Sequence, residues 1–271
     1  MFKTYYCTST ERLNLIMKGN LNMKLRKLSS FITFFLLPIT LNYFSPVLLV
    51  QAGFEKTFSV MHIVYALMTV SAVFFGAAWC SYICPFGALQ DLLPDKGKKP
   101  WLMKYKAMNL KFITGTLFLI LILWPMIQYG FKDAKIFYHM EDTKVTLDSM
   151  HGLILYYIIT GSIVLICVIF GKRVWCRYFC PMYILNYIGI QISKILKIPR
   201  FKITPDSKKC TGCHKCSDAC PMGLKVSDMV KTNKWNYNEC IQCGECISTC
   251  KVIALKRDFK FETIKMKGEE K

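Results

Sequence analysis

Twelve of the fourteen cysteines in this 271-residue chain fall into regularly spaced motifs. Two runs near the C-terminus read C-x2-C-x2-C-x3-C, and two shorter motifs upstream read W-C-x-Y-x-C-P. Thiolates are soft ligands that bind iron–sulfur clusters, zinc and Cu(I), so these cysteines are the residues best suited to redox or metal chemistry. The runs are Cys210–Cys220 and Cys240–Cys250, and the shorter motifs are Trp79–Pro85 and Trp175–Pro181.

The two C-terminal runs have the spacing that holds [4Fe–4S] clusters in bacterial two-cluster ferredoxins. In that arrangement three cysteines of a run bind one cluster, and the fourth binds the other cluster. We therefore predict two [4Fe–4S] clusters with exchanged fourth ligands, in a protein that carries electrons. The predicted ligands are Cys210, Cys213, Cys216 and Cys250 for cluster 1, and Cys240, Cys243, Cys246 and Cys220 for cluster 2.

Three other uses of these cysteines fit the pattern less well. A zinc ribbon needs two C-x2-C pairs, whereas each run here has four cysteines and ends in x3-C. Disulfides need an oxidising compartment, and the charge distribution described below places this region in the cytosol. Cys213 and His214 complete a C-x-x-C-H sequence, the c-type haem signature, but haem attachment would leave two cysteines of the run unused.

Composition indicates a membrane protein with a polar C-terminal part. The chain is 53% hydrophobic, and four long apolar runs without Lys, Arg, Asp or Glu precede the ferredoxin-like runs. Each is about long enough to cross a hydrocarbon core of ~30 Å. The net charge is +19, but the lysines lie mainly beside the apolar runs, and the sequence has no nucleic-acid-binding motif, so no nucleic-acid partner is predicted. The predicted transmembrane helices are Ser29–Val50, Phe58–Trp79, Phe112–Tyr129 and Gly152–Gly171.

Lys and Arg between these runs predict their orientation, because short cytoplasmic loops carry an excess of positive charge. The segment before the first run, the loop 80–111 and the segment after the fourth run are rich in Lys and Arg, whereas the loops 51–57 and 130–151 are poorer or balanced by acids. Both termini and the ferredoxin-like region are therefore predicted to be cytoplasmic, in a multi-pass protein of the cell (inner) membrane that contacts lipid. Ser29–Val50 is long for a cleaved signal peptide and predicts an anchor.

The W-C-x-Y-x-C-P motifs form an internal repeat with an offset of 96 residues. Each follows a predicted helical hairpin, which indicates parallel repeats related by a pseudo-twofold axis along the membrane normal. Both motifs are then expected at the cytoplasmic surface. Two explanations stay open: the cysteines are buried thiols at a structural helix end, or they converge on a third metal or Fe–S centre. These cysteines are Cys80, Cys84, Cys176 and Cys180.

With these motifs in this order, the chain resembles the NapH/NosR/CcoG-type membrane ferredoxins over about residues 28–255. It is most similar in size and layout to NapH, the membrane component of a quinol dehydrogenase. For NapH-type members the resemblance implies oxidation of quinol and electron donation to periplasmic nitrate reduction, and for CcoG-type members copper handling in oxidase assembly. The added flavin-binding domain of NosR-type members has no counterpart here.

The predicted fold is an all-α polytopic membrane bundle of two repeated hairpins, followed by a small α+β two-cluster ferredoxin-like domain. The predicted divisions are a basic segment 1–27, a membrane domain 28–200 that ends in an amphipathic interfacial helix, a ferredoxin-like domain 201–255 and a charged tail 256–271. Near the predicted outer face, His62 and His151 could serve a quinol site, although histidines at that depth commonly face headgroups.

The predicted function is electron transfer between the quinone pool and a redox partner protein, as a component of an oxidoreductase rather than a stand-alone enzyme. The alternative is a metal-handling or assembly protein, in which the upstream cysteines bind copper that the clusters have reduced. A redox sensor is a third hypothesis, but no DNA-binding or signalling motif supports it.

Overall fold

The computed structural model describes residues 23–36, 45–93, 110–130, 133–134, 150–233, 235 and 238–260. Within these residues the chain is mostly helical, with two small two-stranded sheets. The helices are α1 (23–35), α2 (Pro46–Phe54), α3 (Val60–Phe75), α4 (Trp79–Tyr82), α5 (Pro85–Leu92), α6 (Leu110–Tyr129), α7 (Met150–Phe170), α8 (Val174–Tyr178), α9 (Tyr183–Ile195), α10 (Lys215–Asp218), α11 (Val226–Lys231) and α12 (Glu245–Thr249). The strands are β1 (Thr57–Phe58), β2 (Asp133–Ala134), β3 (Arg200–Pro205) and β4 (Leu255–Lys260).

Among the described residues, two helices are long and apolar enough to cross a membrane. The first runs over Val60–Tyr82, through α3, a kinked turn and α4, and the second is α6. Each carries large apolar side chains that stay exposed at every third or fourth position, so that they form a stripe on one helix face. On α6 this stripe is Ile113, Leu117, Ile120, Trp124 and Ile127. Exposed apolar stripes of this kind are typical of lipid-facing helices, and they indicate association with a membrane.

The other two predicted spans are described less completely. The fourth, Gly152–Gly171, corresponds to α7, in which Tyr156–Phe170 forms a shorter apolar helix. The first, Ser29–Val50, is divided between α1 and α2, and residues 37–44 between them lie outside the described part of the chain. The predicted N-terminal segment and the unassigned Cys7 also lie largely outside it.

Helix α9 occupies the place of the predicted interfacial helix, and it packs along both apolar helices. A Cβ atom on Gly189 would lie 2.4 Å from the carbonyl oxygen of Thr69, so only glycine permits this approach to α3. In the same way, a Cβ on Gly115 of α6 would lie 2.8 Å from the Cβ of Ile184. These contacts seat α9 inside the bundle instead of apart from it.

The ferredoxin-like region is built on an antiparallel pair of strands, β3 and β4, in register from Arg200 with Lys260 to Pro205 with Leu255. The short helices α10 to α12 carry the cysteine runs and enclose a core with Ile203, Val226 and Leu255. Ala77 and Ile190 of the bundle belong to the same core, which joins the two parts of the protein. Because β4 extends to residue 260, positions 256–260 belong to this region and not to the predicted tail.

Candidate iron-sulfur sites

The structure brings Cys220 into the group formed by Cys240, Cys243 and Cys246. Every pair among these four thiols is close enough to interact electrostatically. Backbone N–H groups of Gln242 and the helix start at Glu245 are directed at Cys240 and Cys243. Burial raises the pKa of Cys240 to about 12, so this thiol keeps its proton until a metal displaces it. We call these residues group 2.

Cys210, Cys213, Cys216 and Cys250 line one small cavity, and we call them group 1. The Cys216 thiol interacts electrostatically with both Cys210 and Cys250. His214 has a left-handed backbone, with φ of 58°, and its Nδ1 is 2.8 Å from the Ser227 hydroxyl. This contact fixes the orientation of the imidazole ring in the loop.

The two groups adjoin each other, because the thiols of Cys216 and Cys246 also interact electrostatically. Among the described residues, no three His, Cys, Asp or Glu side chains converge closely enough to hold a single metal ion. A zinc ion needs four ligands at about 2.0–2.3 Å, whereas a [4Fe–4S] cube distributes its thiolates over four irons. The wider grouping of these cysteines suits a cluster.

The cysteines of the two repeats converge in the same way. All six pairs among Cys80, Cys84, Cys176 and Cys180 interact electrostatically, and we call these residues the four-cysteine site. Burial raises the pKa of Cys176 to about 12 and raises the pKa of Cys180 strongly. Four half-buried thiols at one place form a soft-metal donor set, which the structural role of a helix end does not require.

The backbone of the two repeats explains how this site is built. In each copy the N–H groups of the last two residues of the C-x3-C segment donate to the same tryptophan carbonyl, at 2.9–3.0 Å, so the segment forms a single turn. A positive φ precedes each turn, at Gly76 (60°) and at Arg173 (55°), and it redirects the chain after the long apolar helix. Pro85 then starts α5, as proline does at a first helical position.

Two amides cross between the repeats to reach this site. Gln90, on α5 of the first repeat, donates from Nε2 to the Cys176 sulfur at 3.1 Å. Asn186, on α9 of the second repeat, donates from Nδ2 to the Cys80 sulfur at 3.5 Å. The thiol of Cys167 donates to Gln90 Oε1 at 3.2 Å and thereby orients that amide.

Arg173 lies between the four-cysteine site and group 2. It is fully buried, pairs with Asp91 through Nε and Nη2 at 2.7 Å each, and donates from Nη1 to the Cys80 carbonyl at 2.9 Å. Its charge interacts with the thiols of both Cys176 and Cys243. Arg26 of α1 adds a second guanidinium to Asp91, at 2.8 Å. Burial opposes ionisation of Asp91, but these partners hold the pKa of its carboxyl below the ordinary value.

A second buried ion pair joins α6 to the ferredoxin-like region. Lys111 Nζ lies 2.5 Å from both carboxylate oxygens of Glu239 and 4.0 Å from the ring centroid of Tyr183. The sequence analysis counted Lys111 only among the positive charges of the loop 80–111, and in the structure its side chain is fully buried. The sequence analysis also did not identify Arg173, Asp91, Gln90 and Asn186 as site residues. The internal repeat could have identified the two amides, because Gln90 and Asn186 are 96 residues apart, the same offset as the two motifs.

The outer histidines are not brought into a site by the described residues. His62 forms a capping box with Ser59 at the start of α3 and stacks on Phe58 at 5.3 Å. It therefore has a structural role at that helix end. The side chain of His151 lies outside the described part of the chain.

Comparison with known families identifies the class of domain. Residues 57–104 and 153–199, the two repeats, each match a 4Fe–4S binding domain family, and residues 202–251 match a 4Fe–4S dicluster domain family. The chain therefore contains 4Fe–4S ferredoxin-type domains, and [4Fe–4S] clusters are its cofactors. The residues described above provide twelve cysteines in cluster-sized groups for them.

The chain is similar in sequence to an electron transport protein, to an uncharacterized protein and to a regulatory protein. It is 26% identical to YccM of Escherichia coli, provisionally named an electron transport protein, over 65% of this chain and 49% of YccM. It is 28% identical to an uncharacterized protein of Methanocaldococcus jannaschii over 69% of this chain and 66% of the relative. It is 24% identical to the regulatory protein NosR of Stutzerimonas stutzeri over 70% of this chain and 26% of NosR. The match thus spans about half of YccM and about a quarter of NosR, and no solved structure matches the chain.

Proposed function

We propose that this protein transfers electrons between membrane quinol and a redox partner protein through three [4Fe–4S] centres. One observation carries the proposal: the twelve motif cysteines gather into three groups of four, of which groups 1 and 2 adjoin, and Arg173 interacts with both group 2 and the four-cysteine site. Redox centres that lie side by side can pass electrons from one to the next, whereas metal-storage or structural metal sites do not need to lie next to one another. Iron–sulfur electron transport is also the function that the matched domains and the name of YccM support.

In this proposal group 1 binds cluster 1 and group 2 binds cluster 2, with Cys250 and Cys220 as the exchanged ligands. Support comes from Cys250, which lines the cavity of group 1, and from Cys220, which interacts with all three thiols of group 2. Bound here, the clusters supply one-electron carriers. The chain's own part is to exclude water from group 2 and to place backbone N–H donors against its sulfurs, both of which tune reduction potentials.

A third cluster at the four-cysteine site is supported by the match of both repeats to a 4Fe–4S binding domain family. The donor set is four thiols, and the buried cation of Arg173 lies beside it to offset the negative charge of a thiolate-bound cluster. The second candidate function is copper handling at the same thiols, since they would also suit Cu(I). The absence of single-ion geometry among the described residues favours the cluster.

The proposed topology has four crossings and a cytoplasmic ferredoxin-like region. Arg26, at the start of α1, contacts Asp91 and Glu245, next to the cysteine groups. At the end of α2, a Cβ on Gly53 would lie 3.1 Å from Pro125. Pro125 is near the C-terminal end of α6, away from the ferredoxin-like region that Lys111 contacts at its N-terminal end. Arg26 therefore lies on the side of the ferredoxin-like region and Gly53 near the far end of α6, as expected if a first crossing connects them.

The redox partner is proposed to dock at group 1. Cys213 is exposed, whereas the group 2 cysteines of the same domain are mostly buried, so cluster 1 offers the shortest path to an outside protein. Lys208, Lys209 and Lys215 are exposed around it and suit an acidic partner surface.

Redox titration of the purified protein in lipid nanodiscs tests this function. A short-chain quinol is added anaerobically, and cluster reduction is followed by electron paramagnetic resonance. We expect reduced-cluster signals on addition of quinol or their loss on addition of quinone, depending on the direction of flow. If neither quinol nor quinone changes the redox state of any cluster, while dithionite does, the proposal is wrong.

A further inference from the structure

A cavity of about 780 Å³ lies between the kinked end of the helix Val60–Tyr82 and the ferredoxin-like region. Its bundle side includes Phe75, Trp79 and Ile83, and its other side includes the loop that contains Cys243 and Cys250. It therefore borders one proposed ligand of each ferredoxin-type cluster. Its volume falls in the range of about 300–1,000 Å³ that small-molecule sites occupy.

The walls combine flat aromatic surfaces with an open apolar side. Phe75 and Phe201 stack with ring centroids 5.4 Å apart and an angle of 10° between their planes. Phe75 and Ile83 are each 47% exposed, on a helix whose other exposed side chains form an apolar stripe. A ligand with a planar head group and a long apolar chain can therefore enter from the side that faces lipid.

Two residues that line the cavity each carry a buried polar atom without a hydrogen-bond partner among the described residues. Gln242 is 95% buried, since only 5% of its surface is exposed, and its Oε1 is unpaired. Arg257 donates to the Tyr82 hydroxyl at 3.3 Å and to the Gln242 carbonyl at 2.6 Å, but its Nε is unpaired. Leaving a buried polar group unpaired is unfavourable, so these atoms indicate a ligand with oxygen acceptors and donors.

We propose that this cavity binds the head group of a membrane quinol or quinone, an inference that rests on the electron-transfer function proposed above. The quinol hydroxyls can donate to Gln242 Oε1, and the quinone carbonyls can accept from Arg257. The apolar chain leaves past Phe75 and Ile83 toward lipid. This places the quinone site beside the ferredoxin-type clusters, at the end of the apolar helix opposite to His62.

The electron count suits this position. Oxidation of one quinol to quinone breaks two O–H bonds and releases two electrons and two protons. One electron passes to each of the two ferredoxin-type clusters, which are reduced by one electron apiece. Asp258 also lines the cavity and offers a carboxylate that can pass the protons to water. In the reverse direction the same atoms and electrons balance.

Binding is tested with decylubiquinone and with a photoactivatable azido derivative of it, on the full-length protein in nanodiscs. We expect the photolabel on peptides 75–83 or 242–258. We expect Gln242→Leu to weaken decylubiquinone binding about tenfold, by removal of the amide partner. Ile83→Trp, which fills the mouth of the cavity from an exposed position, should weaken it at least as much. Gln191→Leu, a glutamine of α9 that does not line the cavity, is the matched control and should leave the affinity within about twofold.

Iron and acid-labile sulfide contents confirm that each variant retains its clusters. Label on the peptide around His62, or unchanged affinity in both cavity variants, would overturn the proposal. So would a co-purified phospholipid that decylubiquinone does not displace, detected by native mass spectrometry. If quinol reduces the clusters equally fast in the parent and in Ile83→Trp, the cavity assignment fails and the electron-transfer function stands. If quinone binds in the cavity but never exchanges electrons with the clusters, the function fails and the binding site stands.

Discussion

Gln90 and Asn186 stand at equivalent positions of the two repeats, and each donates its amide to the first cysteine of the other repeat. Both side chains are buried, at 0% and 1% exposure. This exchange is what a pseudo-twofold relation between the repeats predicts, because such an axis makes each contact between the two copies occur twice. An amide donor to a sulfur stabilises the more negative state of a thiolate-bound cluster.

We therefore expect Gln90→Leu and Asn186→Leu to lower the reduction potential of a cluster at the four-cysteine site. One lost hydrogen bond to a charged acceptor corresponds to a shift on the order of 50 mV for a one-electron couple. Potentiometric titration followed by electron paramagnetic resonance measures it. Gln191→Leu is the control, and an unchanged potential in both amide variants would show that these groups do not contact a bound cluster.

Cluster content distinguishes three centres from two. Anaerobically purified protein should contain about twelve iron and about twelve acid-labile sulfide, one cube per four thiolates. The double variant Cys80→Ser and Cys176→Ser should fall to about eight of each, because only the four-cysteine site loses ligands. About eight in the parent protein, together with tight Cu(I) binding that the variant loses, would favour the copper-handling function.

Asp91 should be far more important for stability than an exposed aspartate. Asp91→Asn leaves the buried guanidinium of Arg173 without an anion and leaves Arg26 with Glu245 alone, and breaking such a buried pair costs about 3–5 kcal/mol. Asp206→Asn is the matched control: the Asp206 side chain is 44% exposed, lies 3.6 Å from Lys209 and accepts from the Lys208 N–H at 3.2 Å, a bond that asparagine can also accept, so the change should cost less than about 1 kcal/mol. Denaturant unfolding in detergent micelles gives both values, and equal losses would contradict the assignment.

The pair Lys111 and Glu239 should show strong coupling in a double-mutant cycle. Lys111→Met alone leaves a buried carboxylate unpaired and should cost about 3 kcal/mol, and Glu239→Leu alone should cost a similar amount. Changing both residues together removes the unpaired charge and should recover most of the loss. Additive losses in the unfolding free energy would mean that the two side chains act independently.

Reporter fusions test the proposed topology. A reporter enzyme that is active only in the periplasm should be inactive when fused after Lys256 or near Lys99, and active when fused near Asp142. The reason is the excess of Lys and Arg in the segments assigned to the cytoplasm. The reverse pattern would place the ferredoxin-like region outside and would contradict the charge argument.

Local patterns in the sequence accounted for much of this protein. The C-x2-C-x2-C-x3-C spacing predicted [4Fe–4S] cofactors, which the domain families confirm. Apolar runs predicted the helices Val60–Tyr82 and Leu110–Tyr129 to within a few residues. Both signals are short in range, because ligand spacing and hydrophobic periodicity depend on neighbours within a few turns of the chain.

Only the tertiary structure decided what surrounds the cysteines. Gln90 reaches Cys176 across 86 positions, and Lys111 reaches Glu239 across 128, and neither contact has a local signature. The positive charges of Lys111 and Arg173 were interpreted from sequence as topology signals, because a charge count does not reveal which lysine or arginine is buried with a partner. Burial depends on how distant elements pack, here on the close approach that Gly189 allows between α9 and α3. The sequence by itself therefore determined the ligands' types and spacing, whereas packing decided their partners.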